Sequence, residues 1–172
     1  MEGETTSAAV DPSGAFLLSS VLLDEYWLRV QGLPAGYYVK QATVNGHDVL
    51  RDPLRTGEGD VSIVLSAEGC AVSGSVNTTD RQPVANTVVY LAVAPLPQTL
   101  GWGDIRTAFT DQNGFFSFPS LPPGEYRLMA SPQLTDDALV NPELVRSNLP
   151  SAVALTVRAG EMKTTMVTVA AR

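Results

Sequence analysis

The sequence has few of the residues on which catalytic and metal sites depend. Its 172 residues include one histidine, His47, and one cysteine, Cys70. A Ser-His-Asp triad would have to use His47, and no Gly-x-Ser-x-Gly nucleophile elbow is present. A structural zinc site needs about four His, Cys or carboxylate ligands. We therefore predict no catalytic residue, no metal and no cofactor, with His47 exposed at a hairpin and Cys70 in the core.

Lysine is also scarce, and acidic residues are in excess. Lys40 and Lys163 are the only lysines, and the net charge is −7. Nucleic-acid surfaces need clustered Lys and Arg, so this charge argues against a nucleic-acid partner. No apolar run reaches the roughly 20 residues that span a bilayer. The polar, acidic start at residues 1–8 does not have the pattern of a signal peptide. We expect no membrane insertion within this segment.

Glycine and proline are abundant, with 14 and 12 residues. They favour frequent turns over long helices. Hydrophobic residues make up 44% of the chain, which is enough for a core. Short apolar stretches between turns are typical of β-sandwiches, so we predict an all-β fold.

An internal repeat organises the chain. Residues 111–128, DQNGFFSFPSLPPGEYRL, read as turn, strand, turn and strand. Residues 11–28 repeat this pattern without a gap, and repeats indicate repeated structural units. The identical pairs are Asp11 and Asp111, Gly14 and Gly114, Phe16 and Phe116, Ser20 and Ser120, Glu25 and Glu125, Tyr26 and Tyr126, and Leu28 and Leu128. We expect Tyr26 and Tyr126 to have equivalent surroundings.

The remaining elements follow from alternation and turn signals. Asn45-Gly46 is the strongest hairpin signal in the chain. One short helix is predicted near residues 138–147, with Pro142 in its first turn. Strands are predicted at Ala15–Leu18, Tyr26–Val30, Tyr37–Val44, His47–Leu50, Val61–Leu65, Cys70–Val76, Thr87–Val93, Ile105–Thr110, Phe115–Phe118, Glu125–Ala130, Val153–Val157 and Met162–Val169.

These elements divide into two units at a short linker, Ala67–Gly69. The first unit covers residues 1–69 and the second covers residues 70–172. Residues 70–110 supply strands before the second turn motif, whereas only residues 1–10 precede the first. We expect the first unit to lack its opening strands, as in an excerpt of a longer chain or a truncated product, and to have an open sheet edge. The short linker predicts two units that are nearly rigid relative to each other.

Three segments of the second unit carry a family resemblance. They are Val72–Val76 (VSGSV), Pro83–Leu91 (PVANTVVYL) and the 111–128 motif. Together they resemble the carboxypeptidase regulatory-like domain, a small prealbumin-like β-sandwich akin to Cna-B-type and starch-binding-domain-like modules. The resemblance covers nearly all of residues 70–172 and residues 8–66 less completely. It implies two tandem small Greek-key or prealbumin-like sandwiches, the first incomplete.

The resemblance also implies a role and a location. Such modules are mostly non-catalytic spacers or binding units, and the family's zinc-containing catalytic domain is absent. Bacterial proteins with these repeats are commonly extracytoplasmic, that is secreted, periplasmic or at the cell surface. A Cna-B-type isopeptide bond needs a lysine on an early core strand. The second unit has none there, and Lys40 leaves this chemistry open for the first unit.

The acidic residues of the repeat allow two interpretations. Asp11 with Glu25, and Asp111 with Glu125, have the residue types of an acid/base pair. However, aspartate also caps turns, and these residues recur within a structural repeat, so the turn interpretation is favoured. The 111–114 turn also resembles half a calcium loop, but it lacks the later acidic ligand.

Aromatic residues give the one ligand-binding hypothesis. Trp27 replaces Arg127 in the repeat and is expected to point outward. Trp102 lies between two glycines in a long loop, near Asp104. Carbohydrate modules stack sugar rings on exposed aromatic side chains. The sequence thus favours a structural spacer or interaction module, with carbohydrate binding by Trp102, Trp27 and Asp104 as the alternative and an enzyme third. The expected partners are neighbouring domains of the same polypeptide, and a polysaccharide or another protein.

Overall fold

A computed structural model describes residues 6–19, 21–98, 100–101, 103–131 and 142–169. Within these ranges the chain is mostly β, as predicted, and its one α-helix, α1, spans Pro142–Asn148. A short 3₁₀ helix follows at Leu149–Ser151. The strands are β1 (Glu25–Tyr26), β2 (Tyr38–Val44), β3 (His47–Asp48), β4 (Leu54–Arg55), β5 (Val61–Ser66), β6 (Cys70–Thr78), β7 (Val88–Val93), β8 (Ile105–Phe109), β9 (Phe115–Leu121), β10 (Gly124–Ser131), β11 (Val153–Val157) and β12 (Met162–Val169).

Strands β6–β12 form a sandwich of two sheets. We keep the name second unit for residues 70–172 and the name first unit for residues 1–69, as labels for the two predicted parts of the chain. One sheet has the order β11-β10-β7-β8 with antiparallel pairs, and the other has the order β12-β6-β9. In the second sheet β6 is parallel to β12 and antiparallel to β9. Apolar side chains from both sheets form one core, because alternate residues of each strand face inward. Its buried members are Cys70, Val72, Val76, Val89, Leu91, Phe116, Phe118, Leu121, Tyr126, Leu128, Leu155, Val157 and Val167.

The alternation predicted for β6 is confirmed. Cys70, Val72, Gly74 and Val76 are buried, and the residues between them are partly exposed. A Cβ atom on Gly74 would overlap the carbonyl oxygen of Thr165 on β12. Only glycine therefore allows β12 to approach β6 this closely at that point.

Helix α1 covers the outer face of the four-stranded sheet. It begins at Pro142, within the predicted helix, although residues 138–141 lie outside the described part of the chain. Val145 is fully buried in a cluster with Val88, Tyr90 and Met129 of strands β7 and β10. Both faces of β7 are consequently covered, which explains its continuous apolar sequence and confirms it as a central strand.

The first unit has two smaller sheets. β1 pairs with β4, and a second sheet has the order β3-β2-β5. The predicted turn at Asn45-Gly46 is confirmed, with φ of 49° and 85° at its two central residues, as a type I′ hairpin requires. The small core contains Ala42, Val44 and Val49, with Leu28, Val39, Leu50, Leu54, Val61 and Ile63 packed against it.

Three strand predictions in the first unit need correction. Ala15–Leu18 is not a strand, and β1 is only Glu25–Tyr26 rather than Tyr26–Val30. The predicted strand His47–Leu50 ends at Asp48, because the Val49 N–H bonds to the Ala42 carbonyl and the chain turns. Local propensity alone does not make a strand, because its backbone needs a partner.

The two repeat tyrosines also differ, contrary to expectation. Tyr126 is buried in β10 between β7 and β11. Tyr26 is partly buried in β1, whose partner is Leu54 of β4. The repeat is thus not preserved at this strand, because β1 has a neighbour on one edge and β10 has neighbours on both.

Candidate functional site

The two aspartates of the repeat cap equivalent turns. Asp111 Oδ1 accepts hydrogen bonds from the N–H groups of Asn113 (2.8 Å) and Phe115 (2.9 Å). Asp11 Oδ1 accepts the same pair from Ser13 (2.8 Å) and Ala15 (2.9 Å). In both turns the following glycine N–H bonds back to the aspartate carbonyl. The turn interpretation of both aspartates is confirmed.

The hydrogen bonds at Asp11 also set its charge. The Ser13 hydroxyl donates to Oδ1 at 2.6 Å, and with the Ala15 N–H it lowers the pKa of the Asp11 carboxyl below its ordinary value. Glu25, the other carboxylate of the disfavoured acid/base interpretation, forms an exposed ion pair with Arg55 at 2.8 Å. An anionic aspartate at neutral pH is not a general acid.

The three residues predicted to bind a ligand have different outcomes. Trp102 lies outside the described residues. Trp27 is 55% exposed between the partly buried Tyr26 and Leu28, so it points outward as the alternation predicts. Asp104 is buried, and its carboxylate accepts hydrogen bonds from Arg51 Nη2 (3.1 Å) and the Gly101 N–H (2.8 Å). As ligand contacts all three remain predictions.

Asp104 joins the two units of the chain. Its side chain is 6% exposed and belongs to the second unit, whereas Arg51 belongs to the first. A Cβ atom on Gly101 would lie 3.1 Å from Arg51 Cγ, so the loop before β8 packs closely on the first unit. The Gly69 N–H also donates to the Gly36 carbonyl at 2.8 Å. We call these four residues, Gly36, Arg51, Gly69 and Asp104, the junction.

Sequence reasoning missed the role of Arg51. The residue lies in a polar loop after β3, and nothing in its neighbourhood marks it as a partner of a residue 53 positions later. The sequence argument for Asp104 was that it lies two residues after Trp102. That spacing says nothing about an ion pair between Asp104 and Arg51. Only the fold brings these two loops together.

A second polar cluster anchors the turn between β9 and β10. Tyr126 Oη donates to the Pro122 carbonyl at 2.6 Å, and the Cys70 thiol lies 3.2 Å from the carbonyl oxygens of Leu121 and Pro122. Arg106 Nη1 donates to the Ser120 carbonyl at 3.3 Å. The predicted core position of Cys70 is confirmed.

Burial controls the protonation of this cluster. It raises the pKa of the Cys70 thiol and raises the pKa of Tyr126 to about 12. It lowers the pKa of the Arg106 guanidinium. A thiol with a raised pKa is a poor nucleophile at neutral pH, because the thiolate is the reactive form. The cluster therefore holds a turn in place and is not suited to covalent chemistry.

The last candidates are the single histidine, a metal site and a membrane-spanning helix. His47 is exposed at the start of β3, as predicted. Within the described ranges, no group of three or more His, Cys, Asp or Glu side chains is placed to hold a metal ion. No helix of the described chain has the length and apolarity to cross a membrane.

Several solved structures are similar to parts of this chain at low sequence identity. A candidate carbohydrate-binding protein from Pseudomonas aeruginosa is 18% identical, with 59% of this chain and 89% of that chain covered and a TM-score of 0.37. The major pilin subunit of Bacillus cereus is 10% identical, with 64% and 32% covered and a TM-score of 0.40. The minor pilin GBS52 of Streptococcus agalactiae is 15% identical, with 67% and 56% covered and a TM-score of 0.38.

The Bacillus pilin is much longer than this chain, which spans about a third of its length. No curated protein matches the sequence. A family model does match, and it covers the β6–β10 region on which the resemblance was based. Residues 71–140 match the carboxypeptidase regulatory-like domain, so the resemblance predicted from the sequence is confirmed for this part of the chain.

Proposed function

We propose that the chain is a non-catalytic β-sandwich repeat module that serves as a rigid spacer in a larger secreted or cell-surface protein. Its two units are residues 1–69 and 70–172, and neighbouring domains of the same polypeptide are its partners. The observation that supports this proposal is the junction, where a buried carboxylate of one unit binds an arginine of the other. A spacer needs a fixed angle between units more than it needs a cleft.

The glycines of the junction support rigidity. A Cβ atom on Gly69 would lie 2.5 Å from the Gly36 carbonyl oxygen, so a larger residue would separate the two backbones. The segment between β5 and β6 is only three residues long. A linker this short leaves little freedom for relative rotation.

The Arg51–Asp104 pair adds a polar restraint. The Asp104 side chain is buried, and a buried carboxylate is stabilised only while its charge is paired and hydrogen-bonded. Rotation of one unit away from the other would remove the arginine and leave this charge uncompensated. The pair therefore favours one relative orientation.

The test is a distance measurement between the units. One spin label at Asp60→Cys on the first unit and one at Asp80→Cys on the second would report the distance between the units, while the buried Cys70 stays unlabelled. We expect a narrow distance distribution in the parent chain and a broader one in Asp104→Asn or Gly69→Ala. Glu25→Gln, which removes the exposed Arg55–Glu25 pair within the first unit, is the matched control and should leave the distribution unchanged. A broad distribution in the parent chain would contradict the spacer role.

One observation favours a second candidate, a carbohydrate-binding module. Trp27 is a large aromatic residue with 55% of its surface exposed, as stacking on a sugar ring requires. Trp102 and Asp104 are the other predicted contacts. Titration with soluble polysaccharides should then change tryptophan fluorescence in the parent chain. Trp27→Ala and Trp102→Ala identify the contributing residue, and Phe109→Ala, also exposed, is the control. No response to any polysaccharide leaves the spacer proposal alone.

A further inference from the structure

Strand β5 has one unpaired edge. It pairs with β2 on one side and lies at the end of the β3-β2-β5 sheet. In the described part of the chain, no backbone hydrogen bond reaches its other side. A row of unpaired N–H and C=O groups is a template on which another strand can pair.

The register of the sheet identifies the unpaired groups. The Val49 N–H donates to the Ala42 carbonyl at 2.9 Å, so the backbone groups of Ala42 face the β3 side of β2. Ile63 lies opposite Ala42. In an antiparallel pair of this kind, which exchanges no hydrogen bonds, both residues direct their N–H and C=O groups away from each other. The unpaired groups of β5 are therefore those of Ile63 and, by alternation, of Val61 and Leu65.

The sequence of β5 favours pairing at this edge. Val61–Ser66 reads VSIVLS, without a charged residue, a proline or a glycine. Val64 is 45% exposed and Leu65 is 43% exposed. Short apolar segments of high β-propensity and no charge pair readily with copies of themselves.

The edge strands of the second unit carry basic side chains instead. β12 contains Lys163, whose Nζ donates to the Thr156 carbonyl of β11 at 2.7 Å. β8 contains Arg106, whose Nη1 donates to the Ser120 carbonyl of β9 at 3.3 Å. Charged side chains at an edge oppose pairing with another strand. The other edge strands of the described chain, β1, β3 and β4, have only two residues each.

We propose that two copies of the chain associate through this edge, with β5 of one copy antiparallel to β5 of the other and Ile63 facing Ile63 at a two-fold axis. The unpaired groups fix this register. Val61, Ile63 and Leu65 of one copy meet Leu65, Ile63 and Val61 of the second copy, and each pair exchanges two N–H···O bonds. The three-stranded sheet of each copy thereby continues into that of the other.

The side chains of β5 complement themselves in this register. Val64 lies opposite Ser62 of the second copy and Leu65 lies opposite Val61, so both exposed apolar side chains gain a cross-strand neighbour. Asp60 lies opposite Ser66, so like charges do not meet directly although the net charge of the chain is −7. Antiparallel pairing of a strand with itself is a closed, two-fold contact, which is why a second copy is the occupant.

The first test is amide exchange with water, followed by NMR at two concentrations of the full chain. A contact this short gives a weak association, so the two samples are at about 50 μM and about 1 mM. The Val61, Ile63 and Leu65 amides should exchange about fivefold more slowly in the concentrated sample, because new hydrogen bonds protect them. Exchange in the exposed loop 79–82 should not change. Equal rates in the two samples would overturn the proposal.

The second test is sedimentation equilibrium of two double variants at exposed positions of β5. Ser62→Lys/Val64→Lys places like charges opposite each other across the two-fold axis and should be monomeric at about 1 mM. This variant also reduces the net negative charge, so general repulsion between copies cannot explain a loss of association. Ser62→Lys/Val64→Glu is the matched control: it places opposite charges there and should associate at least as well as the parent chain. Equal behaviour of the two variants, or a parent chain that stays monomeric, would overturn the proposal.

Discussion

At the scale of single residues, glycine at position 74 controls how closely two strands approach. A methyl group there would overlap the Thr165 carbonyl of β12 and would also approach the Phe116 ring, within 3.0 Å. The sequence predicted that Gly74 faces inward, since it alternates with Val72 and Val76. It did not predict the near contact, because that depends on β12, which lies about 90 residues away in the chain.

Gly74→Ala should destabilise the second unit by about 3 kcal/mol, because backbone atoms have to move to accept the methyl group. Chemical denaturation followed by tyrosine fluorescence or circular dichroism measures the change. Gly124→Ala is the matched control: its added Cβ would meet only Tyr126 Cε2 at 3.9 Å. A loss in Gly74→Ala no larger than in Gly124→Ala would contradict the assigned contact.

At the scale of elements, the structure of residues 111–128 was predictable from the sequence. Of its repeat, residues 11–28, the turn was predicted correctly and the first strand was not. The two Asp turns have the same hydrogen bonds because their geometry depends on four or five adjacent residues. The following segments differ: Phe115 begins β9, whereas Ala15 begins no strand. A turn is encoded locally, but a strand also requires a neighbour, and identical residues cannot supply one.

Tyr126 of strand β10 should make the stability of the fold decrease at alkaline pH. Burial raises the pKa of Tyr126 to about 12, from 10.0 in an unfolded chain. Because the folded pKa is the higher one, the contribution of this group to stability is fully present below pH 10 and declines as the pH rises from 10 towards 12. In Tyr126→Phe this decline should disappear.

The same substitution removes the hydrogen bond from Tyr126 Oη to Pro122, which should cost about 1 kcal/mol at neutral pH. Urea unfolding at a series of pH values measures both effects. Tyr37→Phe, at an exposed position, is the control and should keep the alkaline decline that Tyr126 causes. A decline of the same size in Tyr126→Phe would show that another group is responsible.

At the scale of the whole molecule, the fold class followed from turn density and alternation, but the relation between the two units did not. The turn at Ala67–Gly69 was predicted from the strand signals on either side of it, whereas the bond from Arg51 to Asp104 joins two loops with no mutual signal. The outward position of Trp27 was predicted correctly, because the alternation of side chains along a strand depends only on neighbouring residues. Contacts between distant segments depend on how the sheets stack, and a single sequence does not reveal that.

The parallel pairing of β6 with β12 has a mechanical consequence. β6 begins at Cys70, and β12 ends at Val169. Tension applied to these ends pulls the two strands in opposite directions along their length, so their inter-strand bonds are loaded together in shear. Tension applied at Thr78 and Phe115 instead peels β6 from β9 one bond at a time. Single-molecule force spectroscopy should therefore record a higher rupture force for the first attachment than for the second, and equal forces would contradict this. A unit that bears load best along its own chain direction is suited to tether whatever is attached at its two ends.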